Sequence, residues 1–273
     1  MLAPIEFELN LSAEAFARWK IGRDGVIDTP SSRGARIPLS YLVFMRAQPI
    51  LGVNFHELLD RDPDRGLYGG VTYREHQALR VGQILQASSA VQGRKVVQTP
   101  RGPLTITTFL TTYADHGALH ATESVRMIDT PPVDPSLSEP VAAPAPAAVF
   151  EPLHPLLMRI EPITRRQVAW LTAETGDINA LHLDAPYAAQ RGYPDVVVPA
   201  TLITALLERD IEAACGRHVV EMDVRYSAPT YPGEAIDLYA GISGDELAFQ
   251  ALVGTSLRAQ GRVRLQSEEG EAA

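Results

Sequence analysis

The chain carries two related stretches on either side of a segment rich in proline and alanine, and this repeat limits the folds open to it. The first stretch reads TYREHQALRVGQIL and the second reads DVRYSAPTYPGEAI. The shift that places Arg74 on Arg225 also places Gly82 on Gly233. Each stretch has the pattern of a strand, a tight glycine turn and a second strand. Repeated units on both sides of a central segment favour a duplicated domain.

The intervening segment, 129–152, has no apolar period and is typical of a semi-rigid linker. It predicts an N-terminal domain over 1–128 and a C-terminal domain over 153–273, both of ordinary domain size. In each domain an apolar helical pattern precedes a run of strand-like segments, which indicates the α+β class. The helical patterns cover 38–52 and 199–214.

Local signals place the remaining elements. Thr164 and Gln167 form a capping-box pattern, and Gly176 is a typical residue for the end of the helix that follows. Residues 1–11 and 267–273 are expected to lie at the surface or to fray. The predicted strands lie near 68–77, 83–91, 104–113, 118–128, 218–228, 234–243, 246–255 and 258–267.

Composition and charge exclude several classes of function. The net charge of −9 argues against nucleic-acid binding, because phosphate contacts require a basic surface. The single cysteine, Cys215, excludes an internal disulfide and a cysteine-based zinc cluster. No apolar run approaches the roughly 18 residues of a membrane span, and the N-terminus lacks the pattern of a signal peptide. We therefore expect a cytoplasmic protein that binds neither nucleic acid nor membrane.

A cluster of polar residues follows Gly176 directly, in the stretch TGDINALHLD. Asp177, Asn179 and His182 lie within six residues of one another. Imidazole groups titrate near neutral pH, and a neighbouring carboxylate can orient the ring or share in moving a proton. The stretch therefore predicts a general acid–base pair. In the alternative interpretation, the Asp and Asn are turn residues and the His is a partly buried side chain with a satisfied ring.

The same stretch resembles the signature of the MaoC-like, or hydratase-2, (R)-specific enoyl-CoA hydratases, which runs Gly-Asp-x-Asn-Pro-aliphatic-His. Only Ala180 departs, where proline is usual. The segments RYSAPTYPGEAIDL and RGLYGGVTYREHQALRVGQIL resemble other parts of the two-domain members. The resemblance implies a double hot dog fold, in which each of two repeats wraps an antiparallel sheet around a long central helix. The matching residues of the signature are Gly176, Asp177, Asn179, Leu181 and His182.

The resemblance also implies a reaction, the reversible hydration of a trans-2-enoyl thioester to the (R)-3-hydroxyacyl thioester. This is a hydro-lyase reaction of fatty acid metabolism, on an acyl group carried by CoA or a carrier protein, and it needs no metal or redox cofactor. His182 and Asp177 would deprotonate the water that attacks C3 and return a proton to C2. Asn179 and Gly176 would support the loop.

The resemblance places the oxyanion hole at the start of the helix near 199–214. Family members usually carry His-Gly where this chain has Pro199 and Ala200. The N–H of Ala200 would stabilise the thioester enolate, whereas proline has no N–H. This difference points to an unusual substrate, a weakened activity or a lost one. Candidates for the substrate pocket are Tyr193, Tyr187 and Val198.

The first domain lacks the acid–base residues, because the repeat shift places Val26 on Asp177 and Ser31 on His182. Its expected role is to complete the sheet and wall the acyl pocket.

Other functions stay open at this point. One is hydration of a short branched dicarboxylyl-CoA, such as mesaconyl- or itaconyl-CoA, which would need an Arg in the pocket to bind the free carboxylate. Another is a catalytically weak subunit that binds an acyl thioester. A thioesterase is disfavoured, because Glu208 and Asp210 lie only in the later turns of the helix. The chain can be a monomer or form a homodimer.

Overall fold

The computed structural model describes residues 4–25, 32–47, 66–99, 102–129, 149–177 and 179–267. Most of the predicted linker, and the positions Val26 and Ser31, lie outside the described residues. No helix in these ranges is long and apolar enough to cross a membrane.

In both halves the described elements run as one strand, then helices, then four strands, which confirms the α+β class. Each predicted strand is present. The first half contains β1 (Ile5–Asn10), α1 (Ala13–Asp24), α2 (Tyr41–Ala47), β2 (Gly66–Glu75), β3 (Ile84–Thr99), β4 (Gly102–Asp115) and β5 (Ala118–Asp129). The second half contains β6 (Leu156–Ile160), α3 (Arg165–Thr175), α4 (Ala180–Leu183), α5 (Ala185–Gln190), α6 (Ala200–Cys215), β7 (Val219–Tyr226), β8 (Ile236–Ser243), β9 (Glu246–Val253) and β10 (Ser256–Leu265).

The expectation that residues 1–11 form a surface or frayed end was wrong for residues 5–11, and residues 1–3 lie outside the described residues. Residues Ile5–Asn10 pair with β3 along their whole length, and Leu9 is fully buried. Polar residues alternate with apolar ones in this segment, and such a period of two is the signal of a half-buried strand. Ser12 then caps α1 through its side chain, and Gly25 ends the helix in the left-handed conformation.

The strands form one ten-stranded sheet in the order β1-β3-β4-β5-β2-β7-β10-β9-β8-β6. The order of strands from one edge to the centre, β1-β3-β4-β5-β2, matches the order from the other edge to the centre, β6-β8-β9-β10-β7. Each strand of the first half therefore has a counterpart at the same distance from the opposite edge. At the centre β2 pairs with β7, and Thr72 lies opposite Asp223. The shift that aligns Arg74 with Arg225 also aligns this pair. A local two-fold axis therefore passes through the β2–β7 pair, as expected for a duplicated domain.

Close packing and charge pairing join the halves at the β2–β7 pair. A Cβ atom on Gly70 would lie 2.5 Å from the carbonyl oxygen of Val224, so glycine is needed for the backbones to approach this closely. Arg74 donates from Nε to the Glu221 carboxylate at 2.9 Å. Arg74 is thus an inter-half ion-pair residue. One hydrophobic core extends across both halves of the sheet.

The long helix α6 is buried on most sides and links the halves through Glu208. This fully buried side chain accepts the N–H groups of Leu39 at 2.7 Å and of Ser40 at 2.8 Å, just before α2 begins. Burial raises the pKa of Glu208 to about 7. Since the carboxylate satisfies donors at a helix start, it anchors α2 to α6.

Replacing Glu208 with Ala should lower the free energy of unfolding by about 2–5 kcal/mol, because two buried N–H groups lose their acceptor. Urea unfolding followed by circular dichroism measures this change. The matched control is Glu246→Ala, which removes an exposed carboxylate at the start of β9 and should change stability by less than about 0.5 kcal/mol. Equal effects of the two substitutions would contradict the anchoring role.

Candidate active site

The polar loop begins where α3 ends. Thr164 and Gln167 form the predicted capping box, and Gly176 ends the helix in the left-handed conformation with φ 65°. Asn179 caps α4, because its side-chain oxygen accepts the N–H of Leu181 at 2.9 Å. The next residue is the first position of α4, where proline and alanine are both tolerated.

Hydrogen bonding to the backbone fixes the ring of His182. Its Nδ1 lies 2.6 Å from the carbonyl oxygen of Val197, and since a carbonyl can only accept, Nδ1 carries the proton. In the neutral ring Nε2 is therefore an acceptor. Nε2 lies 3.6 Å from Oδ2 of Asp177. The Val197 N–H in turn donates to the carbonyl of Leu181 at 2.9 Å, which holds the segment around Val197 against α4.

The separation of the two side chains matters for their chemistry. At 3.6 Å they are beyond ordinary hydrogen-bond distance, and both facing atoms are acceptors in the neutral-imidazole state. One water molecule can donate to both atoms. His182 is 13% exposed and Asp177 is 41% exposed, so the pair lies at the boundary between protein and solvent-accessible space.

The start of α6 presents backbone donors beside this pair. The N–H groups of Leu202 and Ile203 donate to the carbonyl of Pro199. The N–H groups of Ala200 and Thr201 have no backbone acceptor within the part of the chain that the structure describes. These two groups lie at the positive end of the helix dipole and are suited to an anionic oxygen.

Tyr226 fixes the first peptide group of α6. Its hydroxyl donates to the carbonyl oxygen of Ala200 at 2.8 Å, and the Thr204 hydroxyl donates to the same oxygen at 3.1 Å. That carbonyl and the N–H of Thr201 belong to one peptide group. Hydrogen bonds to the oxygen both orient the group and strengthen its N–H as a donor.

A cavity of about 640 Å³ brings these groups together. Asp177, His182, Ala200 and Thr201 all line it. Both halves of the chain supply its walls, which are largely apolar. The second half contributes Leu171, Thr175, Leu181, Tyr193, Val198, Ile203 and Tyr226, and the first half contributes Trp19, Val43, Phe44, Arg46, Tyr68 and Met127.

Comparison with known proteins finds a family resemblance in the second half. The family model for the MaoC-like domain matches residues 153–260. In this region the chain resembles the MaoC-like domain family. No curated protein sequence matches the chain.

Solved structures resemble the whole chain and not only its MaoC-like domain. A MaoC-like dehydratase from Phytophthora capsici has a TM-score of 0.73 at 16% identity, over 98% of this chain and 96% of that one. HtdX from Mycobacterium tuberculosis has a TM-score of 0.71 at 16% identity, over 96% of this chain and 99% of that one. Another M. tuberculosis protein, described as a double hotdog fold, has a TM-score of 0.56 at 13% identity, over 97% of each chain. The predicted double hot dog fold is confirmed.

The other predicted site residues differ in whether they line the cavity. Gly176, Asn179, Tyr193 and Val198 line the cavity. Tyr187 is not among the lining residues, and its ring packs against the guanidinium of Arg191 at 4.9 Å.

Sequence reasoning missed several lining residues. Tyr226 lies in a stretch that resembles the family, but its contact with the start of α6 depends on the fold. Arg46 and Tyr68 lie in the first half, and no motif marks Arg46. Tyr68 lies in the stretch RGLYGGVTYREHQALRVGQIL, whose resemblance to the family gave it no role at the cavity. Apolar spacing alone gives no sign that α1 and α2 reach the cavity of the MaoC-like domain.

Proposed function

We propose that the protein hydrates a trans-2-enoyl thioester reversibly to the (R)-3-hydroxyacyl thioester, with Asp177 and His182 as the acid–base pair. The observation that carries this proposal is the pair of facing acceptors, Nε2 and Oδ2, 3.6 Å apart in the wall of a cavity. The name of the similar P. capsici protein, MaoC-like dehydratase, agrees with a reaction that adds or removes water.

In the proposed reaction one water molecule donates a hydrogen bond to each of the two side chains. Its oxygen then attacks C3 of the enoyl group while one of its protons passes to the pair. The C2–C3 double-bond electrons move toward the thioester carbonyl and give an enolate. A proton from the pair then adds to C2, so that the elements of water are added across the double bond. A positioned acid–base pair contributes about 10²–10⁴-fold to such a rate.

In the proposed reaction the enolate oxygen lies against the start of α6. The N–H groups of Ala200 and Thr201 are fixed donors in a largely apolar cavity, where a hydrogen bond to a developing charge is stronger than in water. Pro199 replaces a residue that would carry an N–H. The two following N–H groups are retained, so the change need not remove the oxyanion hole.

The first test follows the loss of enoyl absorbance when the purified protein is added to crotonyl-CoA, with chiral analysis of the product. Formation of (R)-3-hydroxybutyryl-CoA supports the proposal. Formation of the (S) product, or release of free CoA by a thioesterase reaction, would contradict it. Folded protein that binds the thioester without turning it over would favour the catalytically weak subunit.

Replacing Tyr226 with Phe should lower kcat roughly tenfold and leave KM within about twofold, because Tyr226 positions a peptide group that acts in the transition state. Steady-state kinetics with crotonyl-CoA measure both constants. The control is Tyr239→Phe, which removes a hydroxyl on β8 outside the cavity. A raised KM with unchanged kcat would mean that Tyr226 shapes substrate binding only.

A further inference from the structure

We infer that Thr175 is a positioning residue, whose hydroxyl holds the backbone of Asp177 so that the Asp177 carboxylate faces His182. This inference rests on the proposed function for the reaction that the pair carries out. Thr175 is the last residue of α3 and lines the cavity, with 4% of its surface exposed.

The helix itself fixes the hydroxyl of Thr175. Oγ1 donates to the carbonyl oxygen of Leu171 at 2.8 Å, one turn earlier in α3. A threonine side chain has a single side-chain torsion with few favoured values, and burial restricts it further. The hydroxyl oxygen therefore has a fixed place at the end of α3, where the polar loop begins.

The same oxygen accepts the first N–H group of the polar loop. Gly176 turns the chain back in the left-handed conformation, and the N–H of Asp177 then donates to Oγ1 of Thr175 at 3.3 Å. In a common type of helix end, a backbone carbonyl of the last turn accepts the N–H at this position. Among the described residues this N–H has no acceptor other than Thr175. A side-chain hydroxyl therefore replaces the usual carbonyl.

This hydrogen bond bears on the geometry of the acid–base pair. The Asp177 carboxylate is 41% exposed, so close packing does little to fix it. Its Oδ1 accepts the N–H of Asn179 at 3.4 Å, a long contact, while Oδ2 lies 3.6 Å from Nε2 of His182. The backbone contact to Thr175 is thus a main restraint on where the carboxylate lies. Small misplacements of a reacting group lower rates steeply.

The Thr175 hydroxyl acts through Asp177 and not on the substrate. Its one hydrogen is donated to Leu171, and its oxygen accepts from Asp177. Serine can make both contacts, whereas valine has nearly the same shape as threonine and can make neither.

Replacing Thr175 with Val is expected to lower kcat for crotonyl-CoA about tenfold and to leave KM within about twofold, because the pair is misplaced while substrate binding is kept. Thr175→Ser should restore kcat to within about threefold of the parent. The matched control is Thr172→Val. Thr172 lies on the same helix, is 2% exposed and donates to the carbonyl of Val168, but it does not line the cavity. Its replacement should leave kcat within about twofold.

A double variant shows whether the effect passes through Asp177. Thr175→Val combined with Asp177→Asn should be at most about twofold slower than Asp177→Asn alone, because a residue that acts through another adds little once that other is lost. A further tenfold loss, an equal loss in Thr172→Val, no restoration by serine, or a raised KM with unchanged kcat would each overturn the inference.

Amide hydrogen exchange measured by NMR tests the hydrogen bond without turnover. The N–H of Asp177 should exchange at least about tenfold faster in Thr175→Val than in the parent, and at the parent rate in Thr172→Val. Unchanged exchange in Thr175→Val would overturn the inference whatever the kinetics. The expected exchange in a protein that hydrates no enoyl-CoA would reject the proposed function and leave the positioning of Asp177 standing. An active parent with parent-like kinetics in Thr175→Val would reject the positioning alone.

Discussion

Replacing Asp177 with Asn is expected to lower kcat for crotonyl-CoA by about 10²–10⁴-fold with little change in KM. Asn has the same shape and keeps a side-chain oxygen for the contact that the N–H of Asn179 makes at 3.4 Å. The loop should therefore hold its form while the site loses one negatively charged acceptor. Stopped-flow or steady-state absorbance kinetics measure the effect.

Two further variants sharpen this result. His182→Ala should cause a loss of similar size, and the double variant should be no worse than either single one, because residues that act as a unit are not additive. Asp184→Asn is the matched control, since Asp184 caps α5 outside the cavity and Asn is an equally good cap. A parent-like rate in Asp177→Asn would assign the pair to loop structure and not to catalysis.

Replacing Ala200 with Pro is expected to lower kcat by about 10²–10³-fold, the usual loss when one oxyanion donor is removed. The substitution suits the helix, because Ala200 is the first residue of α6, where proline is favoured. Pro199 before it already has an extended conformation, with φ −56° and ψ 131°. The N–H at position 200 is thus removed with the helix start retained.

The control for this change is Ala200→Ser, which adds a polar atom but keeps the N–H. It should retain activity within about tenfold of the parent, and unfolding midpoints should show that both variants are folded. Activity of Ala200→Pro within about threefold of the parent would contradict the role of Ala200. The enolate would then be assigned to the Thr201 N–H, the other donor at the helix start.

Much of the fold was predictable because its signals are local or repeated. The period of two marks strands such as β5 and β8, and the cap residues Thr164 and Gly176 fix the ends of α3. The shift between Arg74 and Arg225 also agrees with the symmetry of the sheet, since Thr72 and Asp223, which it aligns, lie opposite each other in the β2–β7 pair. The same period of two was present in β1, where the terminal position of the segment led to the wrong expectation.

The candidate site was predictable where its residues lie close together in sequence or in a stretch that resembles a known family. The sequence by itself placed Asp177 and His182 on one loop after a helix stop. The fold decided which nitrogen of His182 faces Asp177, because the other one donates to Val197, fifteen residues further along the chain.

The fold also decided what else surrounds the cavity. It brought Arg46 and Tyr68 to the cavity from the other half. The sequence by itself thus determined the repeat, the elements and the polar loop, since caps, turns and periodicity act within a few residues. Only the tertiary structure determined the walls and electrostatics of the site, because they arise where the duplicated halves pack across one sheet.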